Sequence, residues 1–166
     1  MKTFILRRGR SELKLKIAGS SRRELLAKLL AYSAIYGLIH VNYIDLVTPG
    51  SNIPGYHLWL IALYFAPFIP ILFTLGFDDW ELLVSMGLTA SLMNDLFYHP
   101  IGMLLLGRKV NLLDWYLFQL GLKGFETRWS LNLGFTTIPV SSILMGTSIY
   151  IRVICITLLL MKWWRE

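Results

Sequence analysis

The sequence predicts an all-α polytopic integral membrane protein, a four-transmembrane-helix bundle with a short interfacial helix and a basic N-terminal arm. Three observations favour this fold class. Of the 166 residues, 55 % are hydrophobic and only 16 % are charged, and the mean hydropathy of +0.57 is far from that of soluble domains. Four apolar segments are long enough to cross a bilayer. Nine of the 16 Lys and Arg residues lie within the first 28 positions.

The basic N-terminal arm, residues 1–21, precedes a transmembrane domain that we place at residues 22–166. Positive side chains next to a membrane span are retained in the cytoplasm and attract anionic lipid headgroups. The charge of the arm therefore needs no nucleic acid to explain it, and we predict no nucleic-acid binding. The single cysteine, Cys155, excludes an intramolecular disulfide.

The first span is predicted over residues 25–47. Ser21 and Glu24 have the spacing of a capping box, in which each side chain bonds a backbone N–H at the helix start, so the helix should begin at Arg22. At 1.5 Å per residue the segment is long enough to cross a hydrocarbon core of about 30 Å.

The second and third spans are predicted over residues 56–76 and 82–106. A turn rich in proline and glycine precedes the second span, and Pro67 and Pro70 predict a kink in it. Pro100 predicts a kink in the third span, because proline cannot donate to the carbonyl four residues earlier.

An interfacial helix and a fourth span complete the bundle. Residues 111–122 are too short to cross the membrane and begin with polar and aromatic side chains, which is typical of a helix lying on the membrane surface. The last span is predicted over residues 138–161, and a basic and aromatic anchor follows it at residues 162–165.

The distribution of basic residues predicts that both termini lie in the cytoplasm and that the protein is a multi-pass protein of the cell membrane. With four spans, eleven Lys and Arg lie inside and four lie outside. An alternative makes segment 82–106 re-entrant. That topology would return Arg108 and Lys109 to the cytoplasm and place the C-terminus outside.

Two ionisable residues lie near the middle of predicted spans, Asp95 in the third and Arg152 in the fourth. A charged side chain at this depth costs roughly 2.5–3.5 kcal/mol on insertion scales, so it usually faces other helices and finds a partner. Because helical side chains tilt toward the helix N-terminus, Arg152 should lean toward the level of Asp95. We predict that the two side chains pair.

Histidines and further polar residues surround the predicted pair. His99 follows Asp95 by four residues and therefore shares its helix face. His40 in the first span should lie at a similar depth, and His57 begins the second span on the same outer side. Other polar residues close to this level are Asn42, Asp45, Ser91 and Asn94.

These residues also have plain structural explanations. A buried Asp95–Arg152 ion pair fixes the register of two helices without any chemistry, and separate histidines can hydrogen-bond at the membrane interface. A divalent metal bound by His40, His57, Asp95 and His99 has weak support, because the sequence has no HExxH, HxxxH or Cys-pair motif. We assign no cofactor.

Three classes of function remain open, and the sequence favours the first of them, a non-catalytic membrane subunit or assembly protein with a protein partner. The second is a membrane enzyme acting on a lipid or hydrophobic substrate. In it, Asp95 or His99 would act as general base or metal ligand, and Arg152 would bind an anionic head group. The third is a homo-oligomeric proton-coupled transporter, with Asp95 titrating and His40 or His99 relaying protons.

Overall fold

The structure, a computed structural model, describes residues 22–48, 53–75 and 79–165. This part of the chain is mostly helical, with 77 % of its residues in five helices. A two-stranded β-hairpin precedes the last helix. The predicted basic arm, residues 1–21, lies outside the described residues, and so does the serine of the predicted capping box.

Helix α1 covers residues 22–47, includes the whole first predicted span and changes its winding halfway. It consists of an α-helical segment Arg22–Ile35, a π-helical segment Tyr36–Val41 and an α-helical segment Asn42–Val47. The Asn42 side chain donates from Nδ2 to the carbonyl oxygens of Gly37 and Leu38, each at 3.1 Å. A side chain inserted into the backbone ladder in this way favours the wider π-helical turn.

Helices α2 and α3 coincide closely with the second and third predicted spans. Helix α2 consists of Tyr56–Phe65, a 3-10 turn Ala66–Phe68 and Ile69–Leu75. The 3-10 turn contains Pro67, so the helix is irregular where the prolines predicted it. Helix α3, Trp80–Leu106, is one continuous α-helix through Pro100 and ends at Gly107, which has a φ of 63°. It does not turn back on itself, as the re-entrant alternative requires.

The short interfacial helix is present as α4, Leu112–Gln119, and the Asn111 side chain caps it by accepting from the backbone N–H of Asp114 at 3.2 Å. The prediction that the last span begins at residue 138 is wrong. Strands β1, Thr127–Asn132, and β2, Thr137–Ser141, pair antiparallel, and helix α5 begins after them as Ser142–Arg165. Alternating β-branched and aromatic residues on either side of a glycine turn favour a hairpin here.

Helix α3 lies at the centre of the bundle and contacts the other four helices. Its closest approach to α1 is at Gly37, where a Cβ atom would overlap the carbonyl oxygen of Ala90. Toward one end, α1, α2, α3 and Trp163 of α5 enclose a dry core that includes Phe68 and Met86. Toward the other end, α3, α4, β2 and α5 share a smaller apolar cluster.

Large apolar side chains cover the outer faces of the bundle, where Trp59, Phe73 and Ile154 are all more than half exposed. By length and hydropathy, two helical segments are candidate membrane spans, Glu24–Val47 and Ser142–Arg165. The apolar part of α2 is shorter, and polar residues lower the hydropathy of α3. By this measure the predicted four-span bundle is not supported, and the described residues contain two candidate spans.

The close contact at Gly37 gives a prediction for stability. Substitution Gly37→Ala should lower the free energy of unfolding by about 1–3 kcal/mol, because the added methyl group must push the α1 and α3 backbones apart. The measurement is reversible unfolding in mixed detergent micelles. Ala31→Leu, which enlarges an exposed side chain of the same helix, is the control. Equal stability of Gly37→Ala and the unaltered protein would contradict the packing described for α1 and α3.

Candidate functional site: a polar cavity in one half of the bundle

A cavity of about 1020 Å³ occupies the half of the bundle opposite the dry core. Its wall combines the C-terminal halves of α1 and α3 with the N-terminal halves of α2 and α5, and α4 and the hairpin lie across this end. At the rim, the side chains of Asp114 and Arg128 are 35 % and 26 % exposed. The cavity borders the apolar core directly, because Tyr56, Leu60 and Tyr64 belong to both.

The predicted pairing of Asp95 and Arg152 is confirmed, and the pair lies in the cavity wall. Arg152 Nη2 is 2.5 Å from Asp95 Oδ2, and the side chains are 12 % and 21 % exposed. The guanidinium also donates from Nη1 to Ser91 Oγ at 2.7 Å and from Nε to the Ser148 carbonyl at 3.2 Å. All three guanidinium nitrogens thus have acceptors, which offset the loss of hydration on burial.

A second carboxylate, Asp45, lies in the same wall. Its Oδ1 accepts from the Tyr56 hydroxyl at 2.6 Å and its Oδ2 accepts from Asn94 Nδ2 at 3.1 Å. The same Asn94 nitrogen is 3.3 Å from the Tyr64 hydroxyl. Within the described residues Asp45 forms no salt bridge, so neutral hydrogen-bond donors alone stabilise this carboxylate.

The three histidines do not converge. His57 accepts at Nδ1 from the backbone N–H of Asn132 (2.8 Å), which places its proton on Nε2, and it stacks on Trp129. His99 packs edge-on against Trp115, with 4.1 Å between ring centroids. His57 and His99 line the cavity, whereas His40 does not and stacks on Tyr36 instead.

The residues predicted as a weak metal site, His40, His57, Asp95 and His99, are therefore not brought together. In the described part of the chain, no three His, Cys, Asp or Glu side chains are grouped so that they could hold a metal ion. Asn42, another polar residue singled out in the sequence, has a structural role. It is fully buried and its Nδ2 also donates to the Met93 carbonyl at 3.4 Å.

Ion pairs connect α4 to the hairpin at the rim of the cavity. Asp114 on α4 contacts Lys123 at 2.5 Å and Arg128 of the hairpin at 2.6 Å, and Arg128 also contacts Glu126 at 2.6 Å. Hydrogen bonds from Lys123 and Arg128 hold the pKa of the Asp114 carboxyl below its usual range. These contacts join α4 to the hairpin, and both Asp114 and Arg128 remain partly exposed.

The hairpin is also docked on α2. Asn132 Oδ1 accepts from the backbone N–H groups of Gly55 (3.3 Å) and Gly134 (2.9 Å). A Cβ atom at Gly134 would lie 3.2 Å from the Gly55 nitrogen, and both glycines have a positive φ, which other residues rarely adopt. The sequence analysis missed this part of the site, and the signal that could have found it is the alternation of residues 127–132 and 137–141 around Gly134.

Several buried polar atoms around the cavity have no hydrogen-bond partner among the described residues. They belong to side chains of the wall that are at least nine-tenths buried or packed on an aromatic ring: Asn94 Oδ1, His99 Nδ1, Trp115 Nε1 and Gln119 Oε1. Buried polar groups are nearly always satisfied, and an exception in a native structure calls for an explanation. The other two such atoms of the described residues, Asn42 Oδ1 and Glu81 Oε2, lie outside the cavity wall.

The Asp95–Arg152 pair gives a testable prediction on stability. Arg152→Leu should lower the free energy of unfolding by about 3 kcal/mol, because it leaves the Asp95 carboxylate without its cation. The double variant Asp95→Leu/Arg152→Leu should lose less than Arg152→Leu alone, since no charge is then left unpaired. The double-mutant cycle measures unfolding of the unaltered protein, Asp95→Leu, Arg152→Leu and the double variant in one micelle system. Strictly additive losses would contradict a direct pair.

Comparison with known proteins adds no family to this geometry. No family model, no curated protein and no solved structure matches the chain. The candidate site therefore depends on the arrangement of its own residues.

Proposed function

We propose that this chain is a four-span protein of the cell membrane, with a cytoplasmic N-terminus, that binds a small amphipathic molecule in the cavity between its helices. The cavity carries the proposal. Its volume of about 1020 Å³ is at the upper end of the range for small-molecule sites. Three carboxylates and two guanidinium groups lie in a wall that also contains apolar side chains such as Leu60 and Met145.

The packing of α3 supports four spans. This helix of 27 residues is about 40 Å long at 1.5 Å per residue, which exceeds the thickness of a hydrocarbon core. It lies against both candidate spans, α1 and α5, so a bilayer around those two helices also surrounds it. Its polar residues Asn94, Asp95 and His99 line the cavity, which accounts for its low hydropathy without placing charge in lipid.

The orientation follows from the basic residues, eleven on the side of the two termini and four on the other side. With the N-terminus in the cytoplasm, the cavity lies in the outer half of the bilayer. The N-terminal arm then faces the anionic headgroups of the inner leaflet.

A purely structural role for the Asp95–Arg152 pair does not account for the cavity beside it. A register-fixing pair needs no space beside it, and native interiors are close-packed with few voids larger than a water molecule. The pair in this protein borders a cavity large enough for many water molecules or one ligand. We therefore favour ligand binding over the non-catalytic subunit that the sequence favours.

A membrane enzyme acting on a lipid is the second candidate. Asp95 and His99 line the same cavity, and His99 Nδ1 is a buried atom without a hydrogen-bond partner in the described region. Recovery of two bound species whose masses differ by a hydrolysed group, in the unaltered protein but not in His99→Ala, would favour this candidate.

Filling the cavity tests the proposed binding. The protein is purified from its membranes in a neutral maltoside detergent, and bound small molecules are detected by native mass spectrometry. We expect a bound molecule in the unaltered protein and its loss in Ser148→Trp, because Ser148 lines the cavity and the indole ring occupies ligand space.

Thr147→Trp is the matched control, since Thr147 is the preceding residue of α5, is exposed and lies outside the cavity wall. It should retain the molecule. Equal occupancy in the two tryptophan variants, or an empty unaltered protein, would contradict the proposal.

A further inference from the structure

We infer that the polar group of the bound molecule is an organic ammonium cation, and that the Asp45 carboxylate is its counter-ion. This inference rests on the proposed function and adds the chemical class of the ligand. Four observations carry it: the charge balance of the wall, the bonding of Arg152, the unpaired acceptor beside Asp45 and the aromatic lining.

The charge balance of the wall is negative. Three carboxylates line the cavity, those of Asp45, Asp95 and Asp114, against the two guanidinium groups of Arg128 and Arg152. Arg152 contacts Asp95 and Arg128 contacts Asp114. In the described part of the chain this leaves Asp45 as the lining carboxylate without an ion pair. A carboxylate without an ion pair is stabilised by a nearby cation of opposite charge.

An anionic head group finds no comparable partner. Each of the three nitrogens of Arg152 already has an acceptor, in Asp95, Ser91 and the Ser148 backbone. Among the described residues, two of its five N–H groups stay free, so an anionic head group at Arg152 would share the guanidinium with Asp95 and be repelled by that carboxylate.

An unpaired acceptor lies beside Asp45. Asn94 is 2 % exposed, and its Nδ2 donates to Asp45 Oδ2, so its carboxamide lies next to the carboxylate. Its Oδ1 has no donor among the described residues. The two carboxylate oxygens and this carboxamide oxygen are acceptors, which matches an ammonium group carrying several N–H donors.

Aromatic rings complete the arrangement. Tyr56 and Tyr64 bond to Asp45 and Asn94 respectively, and Tyr98, Trp115 and Trp129 line the same cavity. Aromatic side chains attract cations through the negative faces of their rings, and aromatic cages are a common means of binding alkylammonium groups. The apolar part of the wall then accommodates the hydrocarbon body of the ligand.

A series of probes with one chain and three head groups tests the inference. Decylamine, decanol and decanoate are titrated against the full chain in maltoside micelles, and the shift of the thermal unfolding midpoint gives an apparent Kd for each. We expect decylamine to bind at least about tenfold more tightly than decanol, the gain typical of a charge-assisted contact. Asp45→Asn should abolish that difference.

Glu24→Gln is the matched control, because it removes an exposed carboxylate that pairs with Lys28 at the other end of α1; it should leave the preference unchanged. The three probes on the unaltered protein need no variant, so the comparison holds even if Asp45→Asn folds poorly. Saturable binding that favours decanol or decanoate would overturn the ammonium inference and leave the proposed binding function standing. No saturable binding of any probe would overturn both.

Discussion

A carboxylate in the middle of a bundle helix sets the main constraint on this structure. Asp95 lies on α3, the helix that contacts all the others, so its side chain must be satisfied from within the bundle. Arg152 of α5 supplies the cation at 2.5 Å, and the hydroxyl of Ser91 and the carbonyl of Ser148 satisfy the rest of the guanidinium. Because the pair joins α3 to α5 at one depth, it fixes their register and separates a polar half of the bundle from a dry one.

The two halves differ in how closely the helices approach. In the half that holds the apolar core, Gly37 lets α1 lie directly against the α3 backbone at Ala90, and mostly apolar side chains pack around this contact. In the polar half, bulky and hydrogen-bonded side chains such as Tyr56 and Asn94 stand between the helices, and the cavity lies among them. Helix α4 and the hairpin lie across that end of the bundle. Partly exposed ion pairs such as Asp114–Arg128 connect the two. Such pairs contribute less to stability than buried contacts, but they limit where the hairpin can dock.

Sequence reasoning succeeded where a single physical rule decided the outcome. Apolar length placed α1, α2 and α3 within a few residues, and the cost of burying charge predicted the Asp95–Arg152 pair. It failed where tertiary contacts decide. Residues 138–141 read as the start of an apolar span, yet they pair with β1 because the hairpin finds backbone partners at Gly55 through Asn132. The similar depth of His40, His57 and His99 did not bring them together, because depth does not specify the direction in which a side chain points. Only His57 and His99 line the cavity.

The central claim is that the polar half of the bundle is a water-accessible cavity opening on the side opposite the N-terminus. The most direct measurement is labelling of single cysteines, in a Cys155→Ala background, by a charged, membrane-impermeant thiol reagent applied to either side of sealed membranes. The account predicts that Ser148→Cys in the cavity wall reacts from the outer side only and that the adjacent Thr147→Cys, facing lipid, does not react. Reaction of Ser148→Cys only from the side of the N-terminus, or equal reactivity of the two positions, would contradict it.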